Sequence, residues 1–336
     1  CGNVYRSLTE AVEAGMITED QIDISLKKLL KIQFRLGMFD PQDKVPYSKI
    51  GAEVLESKPH QQQALKMARQ SMVLLKNEKQ LLPLSSKIKK IALLGPNANN
   101  GTTQLGNYNG IPSKNTTLLD ALRAEKGIEV VYDSISDFIT LHPGIDLQHY
   151  AEKYKDVDLI IYAGGISALL EGEEGDTGNV EGFYGGDRTT INLPAVQTQV
   201  MQMLQKSGKP MIFICMSGSA IAFNWESQHI PAIIQAWYGG QATGTALADI
   251  LFGRYNPSGK LPITFYRSDS DLPAIEDYSM KNRTYRYFNG DVLYPFGYGL
   301  SFTKFKFKKL NVPQEVQIGD TISISTEVVN TGKSAG

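Results

Sequence analysis

The sequence predicts an α/β fold: a mostly parallel β-sheet with helices on both faces, preceded by a helical linker and followed by a truncated β segment. Three observations carry this prediction. Between residues 88 and 265, short apolar runs alternate with helical segments, which is typical of βαβ units. Before residue 88 the apolar residues recur at helical spacing, and from Phe302 they recur at every second position. The chain therefore divides into residues 1–87, 88–302 and 303–336.

The composition narrows the possible classes of function. The chain has 336 residues, 42% of them hydrophobic, which is enough for about two domains with a core. The net charge of −1 gives no electrostatic reason to expect nucleic acid or an anionic membrane as a partner. No apolar run approaches the roughly 18 residues that cross a bilayer. Cys1 opens neither a signal peptide nor a chain with an initiator Met, so we expect a piece of a longer protein.

Residues 1–87 are predicted to be helical. Thr18 and Gln21 make a capping box, and Gly37 supplies the stop of the helix that follows. A second helix is expected to begin near Pro59, and no strand is predicted in this part of the chain. The first helix carries one apolar stripe, formed by Ile22, Leu26, Leu29, Leu30 and Phe34.

Five short apolar runs follow, and they are predicted to be the strands of the sheet. The helical segments between them start near Thr117, Leu147, Pro194 and Gln241, several with a cap residue or a Pro in the first turn. Right-handed crossovers then place helices on both faces. The predicted strands are residues 88–94, 128–132, 159–162, 211–215 and 232–236.

Residues 303–336 are predicted to be antiparallel β structure. Phe305 and Phe307 alternate with polar residues, as do Ile322 and Ile324 further on. About three strands fit into this segment, too few to close a sandwich of about seven. We therefore expect the chain to be cut at this end as well.

An acidic run follows one of the predicted strands. Glu171-Gly-Glu-Glu-Gly-Asp176 holds four carboxylates in six residues and comes after the apolar run 158–162. Ligands of open α/β sheets collect outside the carboxyl ends of the strands, so this loop lies where a site is expected. Crowded carboxylates in general push one pKa upward, which is what a proton donor at neutral pH needs. The alternative is a solvated acidic loop without chemistry.

Other motifs give weaker signals. The segment from Gly95 to Asn99 lacks the G-x-G-x-x-G spacing of a dinucleotide site and is interpreted as a turn. Ser217-Gly-Ser219 lacks the G-x-S-x-G pattern of a nucleophile elbow and is set aside. No metal is expected, because metal-ligand spacing is missing among His60, His142, His149 and His229.

Three aromatic residues stand near predicted strand ends. Trp225, Trp237 and Tyr238 have two interpretations: flat platforms for the apolar faces of sugar rings, or parts of the core. Core packing is the commoner role of such residues, and we expect Trp237 to be at least half buried.

Long motifs in the second half resemble the C-terminal α/β sandwich domain of glycoside hydrolase family 3. The longest, residues 235–265, reads QAWYGGQATGTALADILFGRYNPSGKLPITF. Two further motifs of this family are matched by RTYRYF at 283–288 and LYPFGYGLS at 293–301.

The resemblance extends over nearly the whole chain. Residues 35–41 look like the linker that follows the family's barrel, and residues 68–77 look like the entry to its second domain. Residues 328–332 resemble the fibronectin-type-III-like module that many members carry. The resemblance thus implies the end of a barrel and a linker in 1–87, the α/β sandwich domain in 88–302, and the start of that module afterwards.

The resemblance also implies site residues. Family members place an Asp nucleophile on an N-terminal (β/α)8 barrel and present the acid/base Glu from a loop of the second domain. Glu173 is the first candidate, by similarity to Glu-x-Glu patterns in xylosidase-like members, and Glu171 is the second, because a Gly follows it as in glucosidase-like members. Asp187 and Arg188 resemble the family's Asp-Arg pair and are expected to brace the loop or bind sugar. The stretch between Glu173 and Asp187 is longer than in short-loop members.

The implied function is retaining hydrolysis of non-reducing-end sugars by a β-glucosidase or β-xylosidase, with oligosaccharide and the barrel as partners and no cofactor. This chemistry needs two carboxyl groups about 5–5.5 Å apart, and the nucleophile is expected outside this chain. The chain alone is therefore predicted to be inactive. Its expected location is periplasmic or extracellular.

Two other classes of function remain open at this point. The first is a non-catalytic carbohydrate-binding or interdomain scaffold module, whose acidic loop carries no chemistry. The second is a Rossmann-like nucleotide binder, which has no glycine fingerprint to support it.

Overall fold

The computed structural model describes residues 3–172 and 179–336, which form two compact units that divide between Ser57 and Lys58. The α-helices are α1 (Leu8–Glu13), α2 (Glu19–Arg35), α3 (Lys58–Ser71), α4 (Gly101–Leu105), α5 (Leu118–Arg123), α6 (Leu147–Lys153), α7 (Ala195–Gln205), α8 (Asn224–His229), α9 (Thr243–Leu251) and α10 (Thr284–Tyr287). The strands are β1 (Val73–Asn77), β2 (Lys90–Leu94), β3 (Glu129–Asp133), β4 (Leu159–Gly165), β5 (Phe183–Tyr184), β6 (Asp187–Arg188), β7 (Met211–Met216), β8 (Ala232–Gln235), β9 (Phe305–Asn311) and β10 (Ser325–Asn330).

The first unit is helical, and its longest helix begins at the predicted cap. The Thr18 hydroxyl accepts from the Gln21 backbone at 3.3 Å, and the Gln21 side chain accepts from the Thr18 backbone at 2.9 Å. This reciprocal pair confirms the capping box at the start of α2. Several residues of its apolar stripe are solvent-exposed in this chain, among them Leu26, Leu29 and Phe34.

The second unit is built on one six-stranded sheet, with the strand order β1-β8-β7-β4-β2-β3. Every pairing among β2, β3, β4, β7 and β8 is parallel, and helices cover both faces of the sheet. This confirms the predicted fold class. The five predicted strands are present at the expected places, each within two or three residues of its predicted bounds.

The sheet also contains a strand that the sequence did not predict. Val73–Asn77, in the part expected to be helical, forms β1 and pairs antiparallel with β8. On its other side the Leu74 carbonyl accepts a hydrogen bond of 2.8 Å from the Leu300 backbone N–H. The expectation of no strand before residue 88 was therefore wrong.

Side chains of alternate strand residues pack into two separate cores, one on each face of the sheet. Tyr162 and Phe213 point to one face, where Val200 of α7 is also buried. Ile161 and Ile214 point to the other face, which α3, α5 and α9 cover. Cys215 belongs to the first core, and burial raises the pKa of its thiol well above the ordinary value. That thiol is packing, not a reactive group.

The last part of the chain is an antiparallel pair, β9 with β10, as the alternating pattern predicted. Among the described helices, none has both the length and the apolar content required to cross a membrane.

Candidate functional site

The candidate site lies where three neighbouring parallel strands end. β4, β7 and β8 are adjacent in the sheet and run in the same direction, so the segments that follow them meet at one edge. Along the chain β2 is followed by β3, which lies on one side of it, and then by β4, which lies on the other side. Such a reversal of strand order is a common ligand position.

The end of β4 is fixed by two buried amides. The Gln197 side chain accepts from the Gly165 N–H at 2.9 Å and donates to the Gly165 carbonyl at 2.7 Å. The Asn97 side chain donates to the Gly164 carbonyl at 3.0 Å. Gly165 has a φ of +108°, and a Cβ there would lie 2.0 Å from the Met216 carbonyl oxygen. Only glycine fits this start of the acidic loop.

Glu171, the first residue of the acidic run, has its carboxylate held by three donors. Oε1 accepts from the Gly218 backbone N–H at 2.6 Å and from the Tyr238 hydroxyl at 2.5 Å. Oε2 accepts from the Ser219 hydroxyl at 2.5 Å. The donors follow β7 and β8, so the ends of three adjacent strands converge on one carboxylate. We call Glu171, Gly218, Ser219 and Tyr238 the carboxylate cradle.

The position of Gly218 in the cradle has no room for a side chain. A Cβ built on Gly218 would lie 2.9 Å from Oε1 of Glu171 and 3.1 Å from the Tyr238 ring. Any side chain there would push the carboxylate or the ring away, so the short contact from the Gly218 N–H depends on glycine.

Tyr238 is aimed at Glu171 by a strained residue. Trp237 has a φ of +56°, a left-handed conformation that costs a bulky residue about 1–3 kcal/mol. Its indole N–H donates to the Ser71 carbonyl at 3.1 Å, which helps to hold this turn. Burial, followed by the nearby Glu171 carboxylate, raises the pKa of Tyr238 well above its ordinary value. The phenol is therefore protonated at neutral pH and donates.

Arg188 joins the cradle through Ser219. Its Nη1 donates to the Ser219 hydroxyl and to the Ala220 carbonyl, both at 2.8 Å. Burial lowers the pKa of Arg188, and the Glu171 carboxylate opposes that change. The Ser219 hydroxyl thus accepts a hydrogen bond from the Arg188 guanidinium and donates one to Oε2 of Glu171.

The structure brings together two of the four predicted site residues. Glu171 and Arg188 meet at Ser219, whereas Asp187 lies exposed in the β5–β6 hairpin and takes no part in the cradle. Glu173 lies outside the described residues.

Sequence reasoning missed the partners of Glu171. Ser219 had been set aside as a failed nucleophile elbow, and it is a hydrogen-bond donor to Glu171 instead. Tyr238 had been interpreted as core or a sugar platform, and its ring is mostly buried while its hydroxyl binds Glu171. Their place in the sequence could have identified them, because Ser219 and Tyr238 follow predicted parallel strands, where ligand-binding residues are common.

A cavity of about 780 Å³ opens beside the cradle. Arg188 and Ser219 form part of its wall, which makes it continuous with the Glu171 network. The remaining walls of the cavity come from the segment after β6 and from residues 262–286, including Thr190, Thr264, Tyr266, Asp269, Met280, Tyr285 and Arg286.

Within residues 3–172 and 179–336, no three His, Cys, Asp or Glu side chains are grouped as metal ligands would be.

Comparison with known proteins gives consistent matches. The glycosyl hydrolase family 3 C-terminal domain matches residues 72–302. A xylan 1,4-β-xylosidase from Xylanibacter ruminicola is 32% identical, over 99% of this chain and 55% of its own length. A periplasmic β-glucosidase from Salmonella typhimurium is 31% identical, over 97% of this chain and 46% of its own length.

The fold comparison agrees with these matches. The solved structure of a β-glucosidase from Erythrobacter marinus superposes with a TM-score of 0.83 at 29% identity, and the match covers 100% of this chain and 47% of that one. The chain thus spans about half the length of the relatives it matches.

Proposed function

Because this chain belongs to glycoside hydrolase family 3, we propose that it is the acid/base part of a retaining, exo-acting β-glycosidase of the β-glucosidase/β-xylosidase class. The substrates are the non-reducing-end sugars of oligosaccharides. The observation that carries this proposal is the carboxylate cradle, which fixes Glu171 at the edge of the sheet where ligands bind. The nucleophile belongs to the barrel that the family places before this domain.

We assign the acid/base role to Glu171, with Glu173 as the alternative. A catalytic carboxyl has to be held in a defined orientation, and three donors do this for Glu171. Among the described residues, Oε2 receives one hydrogen bond, from the Ser219 hydroxyl, which leaves a lone pair for the transferred proton. The Glu173 side chain lies in the undescribed part of the loop, so the two assignments are separated by experiment.

The cradle suits both steps of retaining hydrolysis. In the first step, Glu171 gives its proton to the glycosidic oxygen as the C–O bond breaks and the barrel carboxylate bonds to the anomeric carbon. The three donors then stabilise the carboxylate that is left. In the second step, this carboxylate removes a proton from the water that attacks the anomeric carbon, which releases the sugar and frees the nucleophile.

The location is periplasmic or extracellular, which the name of the Salmonella typhimurium relative supports. The β9–β10 pair is the start of a fibronectin-type-III-like module, supported by its antiparallel pairing. The barrel of the same protein packs against the edge that carries the cradle, so that both carboxyl groups reach one sugar.

The test compares Glu171→Gln with Glu173→Gln in the full-length protein. Loss of the proton donor should slow substrates with poor leaving groups, such as disaccharides, by roughly 10²–10⁴-fold, and activated aryl glycosides far less. Added azide should restore turnover of aryl glycosides by replacing the attacking water. The exposed Glu181→Gln is the matched control.

The variant that loses activity selectively on disaccharides and is rescued by azide identifies the acid/base residue. If this pattern appears in Glu173→Gln and not in Glu171→Gln, the role belongs to Glu173. If neither variant changes either class of substrate, the chain is a non-catalytic module.

A further inference from the structure

A glutamine lies in the first core, on the same face of the sheet as Ile233. Side chains alternate along a strand, so Gln235, two residues further along β8, points to the face where Ile233 is packed. Gln235 is 0% exposed, and among the described residues its Oε1 has no hydrogen-bond partner. Because a buried amide is costly unless it is hydrogen-bonded, packing alone would favour an apolar side chain here. The amide therefore points to a role other than packing.

The Gln235 amide supports the hydroxyl of Ser217. Its Nε2 donates to Ser217 Oγ at 2.9 Å, and this hydroxyl donates to the Ser219 carbonyl at 2.7 Å. The direction of both bonds is fixed, because a carbonyl oxygen only accepts and the Ser217 proton is therefore committed to it. The oxygen of Ser217 is left to accept from Gln235. Ser217 is 0% exposed as well, so bulk water does not replace either bond.

These two bonds brace the turn that carries two of the three donors of the carboxylate cradle. The bond from Ser217 to the Ser219 carbonyl spans Gly218, whose N–H donates to Glu171 at 2.6 Å. Ser219 is held at both ends, because its hydroxyl accepts from Arg188 at 2.8 Å and its carbonyl accepts from Ser217. That hydroxyl donates to Glu171 at 2.5 Å. The orientation of Glu171 thus depends on the turn, and the turn depends on the buried amide and hydroxyl.

The register of the sheet makes this support possible. In the parallel pair β7–β8, Gln235 lies beside Cys215, two residues before Ser217. Side chains two residues apart share a face, so Gln235 reaches the hydroxyl just beyond the end of β7. The next residue along the chain, Ala236, packs into the other core and could not take this place.

We propose that Gln235 and Ser217 are positioning residues for Glu171, because they hold the turn whose N–H and hydroxyl bind its carboxylate. The proposal rests on the function proposed above and adds two residues to it. Both are fully buried and do not reach a sugar. Their removal should therefore affect proton transfer to the leaving group and not the binding of substrate.

The test compares two substrates in the full-length protein. Ser217→Ala removes the bond to the Ser219 carbonyl, and Gln235→Met keeps the approximate shape of the side chain without its N–H. Each variant should lower kcat/KM on a disaccharide by about 2–10-fold, which corresponds to the loss of one hydrogen bond. On a glycosyl fluoride, whose leaving group needs no proton, kcat/KM should stay unchanged.

Ser207→Ala is the matched control. The Ser207 hydroxyl also donates to a backbone carbonyl at 2.7 Å, that of Leu204. Ser207 precedes the start of β7, however, whereas the cradle follows the end of that strand. This variant should change kcat/KM on neither substrate.

A double-mutant cycle separates positioning from a general effect on the fold. A phenyl glycoside is suitable, because its leaving group still benefits from protonation. In the Glu171→Gln background the proton donor is already absent, so adding Ser217→Ala or Gln235→Met should lower kcat/KM no further. A loss of the same size with and without Glu171→Gln would show that the two residues act on the fold or on sugar binding, and it would overturn the proposal.

Crystal structures of the full-length protein test the positioning independently of the reaction. In Ser217→Ala and in Gln235→Met, the distance from the Gly218 nitrogen to Oε1 of Glu171 should lengthen beyond the range of about 2.7–3.2 Å of a hydrogen bond. If the wild type hydrolyses no glycoside, or if Glu171→Gln behaves as the wild type, the proposed function of Glu171 fails, and this distance still decides on the positioning. A contact that is unchanged in both variants rejects it.

Discussion

The Tyr238 hydroxyl donates a 2.5 Å hydrogen bond to Oε1 of Glu171, which connects the segment after β8 with the segment after β4. The segment that follows the strand between them, β7, contributes the other two donors, Gly218 and Ser219. The orientation of one carboxylate is therefore set by the order of three strands.

We expect Tyr238→Phe to lower kcat/KM on disaccharides by about tenfold or more, because a hydrogen bond to a charged group is worth about 1.5–3 kcal/mol. The value of kcat/KM on a glycosyl fluoride should be nearly unaffected, because it reports the first step, in which fluoride leaves without a proton donor. The measurement is kcat/KM on both substrates in the full-length protein. Tyr184→Phe, an exposed tyrosine of β5, serves as the control. An equal loss on both substrates would indicate a general disturbance of the fold and not an effect on the proton donor.

Gly218→Ala should disturb the cradle from the backbone side. The new Cβ would meet Oε1 of Glu171 at 2.9 Å and the Tyr238 ring at 3.1 Å, so one of them has to move. We expect kcat/KM on disaccharides to fall by about tenfold, because small displacements of catalytic groups are costly. Gly110→Ala is the control, since a Cβ there meets nothing within 4 Å. Full activity of Gly218→Ala would show that the cradle geometry is not needed.

The buried carboxyl of Glu226 should make stability depend on pH. Burial raises the pKa of Glu226, and the Thr198 hydroxyl, which donates to it at 2.5 Å, opposes this change only in part. The folded-state pKa of Glu226 thus lies above the unfolded value of about 4.3. The contribution of this carboxyl to the free energy of unfolding is therefore complete below that pH and is lost as the pH rises through the folded-state pKa.

Glu226→Gln removes this titration and keeps the shape of the side chain. The melting temperature of the variant should therefore fall less than that of the wild type as the pH is raised above about 4.3. Glu276→Gln, at an exposed position, should follow the wild type. Parallel curves for Glu226→Gln and the wild type would contradict the assignment.

The 336-residue chain on its own should fold without hydrolysing glycosides. Its sheet has two cores of its own, but the two-step mechanism needs a second carboxylate about 5–5.5 Å from the first. The assay uses nitrophenyl β-glucoside and β-xyloside with the purified chain. Turnover that persists through re-purification and disappears in Glu171→Gln or Glu173→Gln would show that the site is complete within this chain.

The sheet was predictable because its signals are local. The runs 88–94 and 211–215 are apolar enough to identify buried strands, and Thr117 caps the helix between two strands as its side chain suggested. β1 was missed because its pairing partner, β8, lies far along the chain and nothing local separates Val73–Asn77 from the helix before it.

The candidate site was predictable only in part for a related reason. The carboxylates of the acidic run are visible in the sequence, and so is their position after a strand. Ser219 and Tyr238 become partners of Glu171 only because β7 and β8 lie beside β4, and that order follows from tertiary packing. Trp237 gave no signal of its left-handed backbone, since bulky residues rarely adopt it.

β1 bears on where the polypeptide can be shortened for recombinant work. It covers β8 on one side, and Leu74 accepts from Leu300 on the other. A polypeptide that began at residue 88 would leave β8 as a bare edge with unpaired N–H and C=O groups, which is a template for pairing with another copy. Starting at Lys58 keeps α3 and β1 together, so that version should remain monodisperse where the shorter one aggregates.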